Sequence, residues 1–321
     1  MLNVGVIGCG NIGRLHANAY ANAENVKLCA LIDTNLDNAK RLAAEFGGEA
    51  YASINDVPVK LDLVSVVVPP SAHYGVVSDL LNRGIAVFVE KPMTMDVEQA
   101  KALLKQSQET GLSIGVGFKM RYEAVFQKAK ELVGKLGEIY SVAETSNQPM
   151  AKVPEKPWVM DTGVMYELSI HDYDLIHWIM DSVPVAVSAT LDSSWGWKRE
   201  NFAYLTVEYA NGAKGQLMNT YSPGSKHGFD RVITFFGENG YMRVERPNQI
   251  VLHANGEHEV ITVEPFADAD VFRKEIEAFI DSVLKKVPYY PGVAEGAINT
   301  ILIEAANQAD KAGKKVVLAD L

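Results

Sequence analysis

Residues 2–13 constrain this chain more than any other stretch. A run rich in Val and Ile ends in Gly8-Cys9-Gly10-Asn11-Ile12-Gly13, and residues 14–23 continue with helical character. A second apolar run, residues 26–32, ends in Asp33, about 20 positions beyond Gly13. Isolated, a Gly-x-Gly-x-x-Gly is a weak signal; between a strand and a helix, with an acid after the next strand, it describes a dinucleotide-binding turn. Gly8 permits the tight turn, Gly10 lets the backbone approach a pyrophosphate, and Gly13 lets helix and strand close up. Asn11 and Ile12 complete the loop. The free N–H groups and dipole of the helix start attract phosphate. Asp33 is suited to the ribose hydroxyls and would repel a 2′-phosphate. With no arginine directly after it, NAD is favoured over NADP.

Strand and helix signals alternate after this unit. Residues 36–46 read as a helix stopped by Gly47-Gly48, and residues 61–68 as a buried strand. Pro69-Pro70-Ser71-Ala72-His73 follows, with Ser71 the expected cap of a helix over 73–82. Residues 85–89 form a further strand, 96–110 a helix and 112–117 a last strand. The pattern implies an α/β, doubly wound parallel sheet of the Rossmann type over residues 1–120. The strand at 85–89 runs directly into Glu90-Lys91-Pro92. Open α/β sheets place their ligand crevice at the carboxyl ends of strands, so Glu90 and Lys91 are candidate site residues.

Beyond Gly137 the character changes. Long alternating strands appear at 138–146, 183–193, 202–209, 214–221 and 231–236, punctuated by Asn211-Gly212, Asn239-Gly240 and Asn255-Gly256. Asn-Gly between alternating runs is a strong hairpin signal. Residues 121–321 are therefore expected to form an α+β domain with a large, mostly antiparallel open sheet. Helices near 268–286 and 293–313 would cover one face or return to the first domain. Residues 148–158, with three prolines, read as an irregular loop. One helix, about 165–180, interrupts the strands. On it Glu167, His171 and Asp174 fall at i, i+4 and i+7, one polar stripe in which carboxylates can orient an imidazole for acid–base work. A solvated helix face with i,i+4 pairing is the competing reading.

Composition removes several classes of function. The 321 residues carry a net charge of -10, which argues against a nucleic-acid or anionic-membrane partner. Cys9 and Cys29 lie in apolar segments with no metal-ligand spacing around them, and read as small buried hydrophobes; no metal is expected. No apolar run reaches the length of a membrane span, and the first strand begins at residue 2, so a cytoplasmic location is expected.

Several motifs coincide in order along both halves: the glycine loop, Val68-Pro69-Pro70-Ser71-Ala72-His73, Glu90-Lys91-Pro92, Gly117-Phe118-Lys119-Met120-Arg121-Tyr122 and Ile170-His171-Asp172-Tyr173-Asp174. Together they resemble the glucose-fructose oxidoreductase / inositol dehydrogenase / rhizopine-catabolism (Gfo/Idh/MocA) family. The resemblance implies an NAD(P)-dependent enzyme acting on a sugar, cyclic polyol or sugar acid, and a homodimer or homotetramer formed through the C-terminal sheet. It makes Lys91 the catalytic lysine, His171 the proton acceptor or donor, and Glu167 its neighbour in the site. It puts Pro70 and His73 near the cofactor and makes Lys91-Pro92 a candidate cis peptide. Glu167 departs from the aspartate of inositol dehydrogenase-like members. Lys119, Arg121, Trp158, Tyr166, Asp174 and Trp195 are the remaining candidates for substrate contact; a cation at Lys119 would suit an anionic substrate, or be a solvated lysine. A non-catalytic NAD or sugar sensor, and an NAD-cycling glycosidase or lyase, are the competing functions on this fold.

Overall fold

The computed structural model describes residues 1–151, 154, 158–222 and 230–320. The chain divides into two compact units: Met1–Tyr122 with Ala267–Thr300, and Glu123–Phe266 with Ile301–Leu321.

The first unit is built on six parallel strands. In chain order they and their crossovers are β1 (Leu2–Ile7), α1 (Asn11–Asn22), β2 (Val26–Ile32), α2 (Leu36–Phe46), β3 (Glu49–Tyr51), β4 (Leu63–Val66), α3 (Pro70–Asn82), β5 (Ala86–Glu90), α4 (Val97–Thr110) and β6 (Ile114–Gly117). The sheet order is β3-β2-β1-β4-β5-β6, so the chain reverses direction of travel between β1 and β4. Such a switch point opens the crevice in which a doubly wound sheet binds its ligand. β4 and β5 are buried on both faces, which is why they read as largely apolar runs, with Ser65 the polar exception in β4. The three-residue β3 was too short to leave a periodic signal. Helix α3 starts earlier than the Ser71 cap implied: Pro69 is its N-cap and Pro70 its first residue. A proline there loses nothing, since the first N–H of a helix has no partner within it. Asp96 does cap α4, accepting from the Gln99 N–H at 2.9 Å, and Gly111 ends that helix in the left-handed region.

The second unit opens with α5 (Ala124–Leu132) and β7 (Ile139–Pro149), then two helical pieces, α6 (Val159–Val164) and α7 (Ile170–Met180). It continues through β8 (Pro184–Asp192), β9 (Phe202–Tyr209), β10 (Lys214–Ser222), β11 (Asp230–Gly237), β12 (Gly240–Glu245), β13 (Gln249–Ala254) and β14 (Glu257–Thr262). The chain closes with α8 (Asp268–Lys285), α9 (Val293–Ala312) and β15 (Val316–Val317). The nine strands run in the order β14-β13-β12-β11-β7-β10-β9-β8-β15, and within this sheet β7–β10 is the one parallel pair among the described residues. All three Asn-Gly pairs join adjacent antiparallel strands: β9 to β10, β11 to β12, and β13 to β14. Asn255 and Gly256 both take positive φ, as a type I′ turn requires. Of the loop expected at 148–158, β7 takes the first two residues. Lys152, Val153, Glu155, Lys156 and Pro157 lie outside the described residues.

Helix α8 belongs to the first unit and packs against α1. Its Ile276 and Phe279 join Val4, Val6, Leu31, Leu63 and Phe88 in that unit's core. Among the described residues, no helix is long and apolar enough to cross a membrane.

Candidate active site

In the first unit the glycine loop has the shape its sequence implies. Gly8 has φ +99°, and a Cβ on Gly13 would sit 1.9 Å from the Gly8 carbonyl oxygen, so only glycine allows α1 to start this close to β1. A Cβ on Gly10 would meet nothing within 4 Å, which leaves the backbone open to a ligand there. No side chain caps the start of α1, and its first turn carries no acid. The helix start is thus left to an external anion. Asp33 accepts from the Cys9 N–H and the Asn35 N–H, both at 2.8 Å, which locks the carboxylate between loop and strand end. A cleft of about 500 Å³ runs along this region, lined by Gly8, Gly10, Asp33, Val68 and Pro69 among others. The residues present fit a dinucleotide: an uncapped helix start, a loop with no side chain in the way, and a carboxylate at the ribose position. Arg41 of α2 donates to the Cys9 carbonyl at 3.1 Å and so borders the loop. Ile12 is 40 % exposed at the loop's tip. Cys9 is fully buried, and burial together with the Asp33 charge pushes its thiol up to about 12, so it is inert packing.

Lys91 lies just beyond β5, partly exposed, and its peptide bond to Pro92 is cis. Two histidines hold the surrounding backbone. His73 is 1 % exposed, with Nδ1 2.7 Å from the Pro92 carbonyl and Nε2 2.8 Å from the Val68 carbonyl. It therefore laces the residues after Lys91 to the end of β4, and both its nitrogens face protein carbonyls. Burial holds its pKa below the usual imidazole range. His16 of α1 is fully buried, with Nε2 3.0 Å from Glu90 Oε1 and Nδ1 3.0 Å from Ser65 Oγ; Ser65 is in turn 2.7 Å from the Tyr20 hydroxyl. Glu90 fits because its neighbour on β6 is glycine: a Cβ on Gly117 would lie 2.9 Å from the Glu90 carboxyl carbon. Burial opposes ionisation of Glu90, but the bond from His16 and the Lys91 charge outweigh it and hold its pKa below the usual carboxylate range. Sequence reasoning missed His16. Its signal was position: three residues after Gly13, on the helix face turned to the sheet.

Lys119 and Arg121 follow β6. The Lys119 ammonium stands 4.7 Å over the Phe272 ring and 3.8 Å from Asp268, and Arg121 is buried.

In the second unit the expected helix at 165–180 is not one continuous α-helix. Gly163, at φ +77°, breaks α6, and Met165–Ser169 form a π-turn before α7. Such single turns recur at functional sites because they re-aim side chains without ending the helix. Glu200 imposes this one. Its Oε1 accepts from the Met165 N–H at 3.0 Å, its carbonyl accepts from the Val164 N–H at 2.8 Å, and a Cβ on Gly163 would lie 2.4 Å from that same Oε1. Arg231 of β11 supports the turn's other end. Its Nη2 donates to the Leu168 carbonyl at 3.3 Å, and its Nε lies 2.6 Å from Asp172 Oδ1. Burial pushes the Asp172 carboxyl up to about 6 although Arg231 pulls the other way. A second buried chain runs from the Tyr173 hydroxyl to Asn219 Oδ1 at 3.2 Å, and from Asn219 Nδ2 to both Glu144 oxygens at 2.9 and 3.0 Å.

The result is selective exposure. From Thr162 to His177 every residue is buried except Glu167 and His171. Asp174, expected in the polar stripe with them, is 1 % exposed, although it keeps regular helical spacing from His171 on α7. Tyr166 is fully buried, with the Arg199 guanidinium 5.4 Å over its ring. Trp195 is half-buried at φ +64° with its ring 6.1 Å from Trp197, and Trp158 is 50 % exposed. Glu200 and Arg231 carried no local signal, since each acts on a segment distant in sequence.

Residues 2–118 match the family model described as oxidoreductase family, NAD-binding Rossmann fold, and residues 130–318 match that family's C-terminal alpha/beta domain. The chain belongs to the Gfo/Idh/MocA oxidoreductase family. It is an NAD(P)-dependent oxidoreductase with an NAD-binding first unit. It is 26% identical to an inositol 2-dehydrogenase of Rhizobium meliloti over 98% of both chains. The structure of a UDP-N-acetylglucosamine 3-dehydrogenase from Acidithiobacillus ferrooxidans superposes with a TM-score of 0.84 at 26% identity, covering 97% of this chain and 98% of that one. An oxidoreductase from Agrobacterium radiobacter, 17% identical, shares the fold at a TM-score of 0.91 over 99% of both chains.

Proposed function

We propose that this family member oxidises a secondary alcohol of a sugar, cyclic polyol or sugar acid to a ketone, or runs the reverse reaction, with Lys91, His171 and Glu167 as its catalytic groups. The observation that carries the reading is the pair Glu167 and His171, the two accessible side chains of an otherwise buried helical stretch. The relatives' substrates, an inositol and a nucleotide sugar, are both rings bearing secondary hydroxyls.

The glycine loop, the start of α1 and Asp33 would hold the pyrophosphate and ribose of NAD. Bound NAD supplies the hydride acceptor at nicotinamide C4. Lys91, presented by a strand end, donates a hydrogen bond to the substrate oxygen and favours its alkoxide character. His171 takes the hydroxyl proton. Glu167, one helical step away, orients the imidazole. Ketone reduction uses the same groups in reverse. In this reading the large open sheet pairs subunits into a dimer or tetramer.

The test is a panel of inositols, aldoses, sugar acids and keto-sugars with NAD and NADP, followed at the nicotinamide absorbance. Net NADH formation with at least one of them is expected; none would sink the dehydrogenase reading. On the substrate found, Lys91→Ala is expected to lower kcat by about 10²- to 10³-fold while NAD still binds. Full activity in that variant would remove Lys91 from the chemistry. His171→Ala is expected to cost about 10²- to 10⁴-fold in kcat, and an unchanged rate would reassign the proton transfer.

A further inference from the structure

The packing of α8 beneath β5 leaves one group that the mechanism above does not use. Glu275 is fully buried, and neither carboxyl oxygen has a hydrogen-bond partner among the described residues. It points into the pocket that holds His16 and Glu90: one ligand atom of each of the three lies within 4.8 Å of the others. The walls are aromatic. The His16 ring is 5.6 Å from Phe88 and 5.7 Å from Phe272.

Among the described residues, three charged or titratable side chains face Glu275. From α1 there is His16, from β5 Glu90, and from the turn after β6 Lys119, whose ammonium is already engaged by Phe272 and Asp268. The Tyr289 hydroxyl reaches only the Glu275 backbone carbonyl, at 3.4 Å. Two carboxylates this close in a largely buried site do not both ionise readily. Glu90 has a donor from His16 and a second from the Lys91 N–H at 3.3 Å; Glu275 has neither.

Proton placement along the chain agrees. Tyr20 is buried and Ser65 is its hydroxyl's partner, so the hydroxyl donates to Ser65. Ser65 then donates to His16 Nδ1, and His16 Nε2–H donates to Glu90 Oε1, which leaves every hydrogen with an acceptor. A His16 protonated on both nitrogens would strand one hydroxyl hydrogen of the Tyr20–Ser65 pair. The same bookkeeping disfavours a metal ion in this His and two-carboxylate cluster, because both His16 nitrogens are already committed.

We propose that Glu275 is a positioning residue: held as the neutral acid, it turns its proton toward Glu90 and completes a buried chain, Tyr20–Ser65–His16–Glu90–Glu275, that anchors Lys91. The chain then carries a single negative charge, matched by the single positive charge of Lys91. A second charge on Glu275 would pull the ammonium back from the substrate. Burial and the nearby Glu90 charge both raise the Glu275 pKa well above the usual carboxylate range, which supports the assignment. The link to Lys91 rests on the function proposed above; the protonation of Glu275 does not.

The experiment compares Glu275→Gln, which keeps shape, neutrality and a donor, with Glu275→Leu, which keeps only shape. Infrared difference spectra of the NAD-loaded full-length protein at neutral pH are expected to show a protonated-carboxyl band that vanishes in E275Q. E275L is expected to lose about 10²-fold in kcat through misplacement of Lys91, with NAD affinity held, and E275Q to recover all but about 3-fold. Three results would overturn the proposal: no such band, E275Q as impaired as E275L, or a stoichiometric metal in the purified protein that E275Q loses. If no substrate in the panel turns over, the dehydrogenase reading fails, and the infrared band still decides the state of Glu275.

Discussion

The two units place their accessible catalytic candidates by different electrostatic means. In the first, Lys91 follows a strand end whose Glu90 is anchored through a relay of hydrogen-bonding groups: Tyr20, Ser65 and His16. In the second, Glu167 stands on a π-turn and His171 at the start of α7 just after it, a segment braced by Glu200 and by the buried Arg231–Asp172 ion pair at 2.6 Å. A parallel sheet delivers its strand ends to one edge, so the first unit needs only to orient a residue already in place. A helix offers no such edge, so the second unit must break its own helix and then hold the break. The difference teaches that a strand end presents its residue without further support, whereas a helix irregularity comes with a buried ion pair and a carboxylate bonded to its backbone.

The sharpest way to break that contrast is Arg231→Met. It leaves Asp172 buried without its cation and is expected to cost about 3–5 kcal/mol, read by urea or thermal melting. Pairing it with Asp172→Leu should recover most of that loss, because neither charge is then stranded. A single variant that melts like the parent would mean the π-turn does not depend on the ion pair. Ser65→Ala is expected to be milder, about 1–3 kcal/mol for a stranded Tyr20 hydroxyl and His16 nitrogen. A loss as large as that of Arg231→Met would erase the distinction between the two frameworks.

The smallest effect is a trend with pH. Glu275 has a raised pKa in the folded state, so the native protein holds a proton that the unfolded chain releases. Stability from this group is therefore full below the ordinary carboxyl value of 4.5 and is lost as pH rises toward the folded value. Glu275→Gln has no such proton to lose. Its Tm relative to the parent is expected to climb with pH from about 4.5 upward, by roughly 2–4 °C for each kcal/mol. A gap that stays constant, or narrows, would show that Glu275 ionises normally.

Much of the first unit was legible because its chemistry is local. The glycine loop, Asp33 and Glu90-Lys91-Pro92 each sit within a few residues of the strand that presents them, and alternation alone implied a doubly wound sheet. The Asn-Gly turns exposed the second sheet in the same way. Asp174 shows where local reading stops. At ideal helical spacing it joined Glu167 and His171, and α7 keeps its spacing from His171, yet Asp174 is buried. The bonds His73 makes are another case: its motif pointed to the cofactor side, while its two carbonyl partners, Pro92 and Val68, had no sequence signal.

The sequence by itself determined the two architectures, the nucleotide-binding loop and the family, because periodicity and turn chemistry act over a few residues at a time. Only the tertiary structure decided which polar side chains stay accessible. That choice depends on Glu200 reaching Met165, Arg231 reaching Leu168 and Asp172, and Glu275 facing Glu90. Each pair is brought together by packing across long stretches of chain, where burial strengthens electrostatics and no local pattern records the partner.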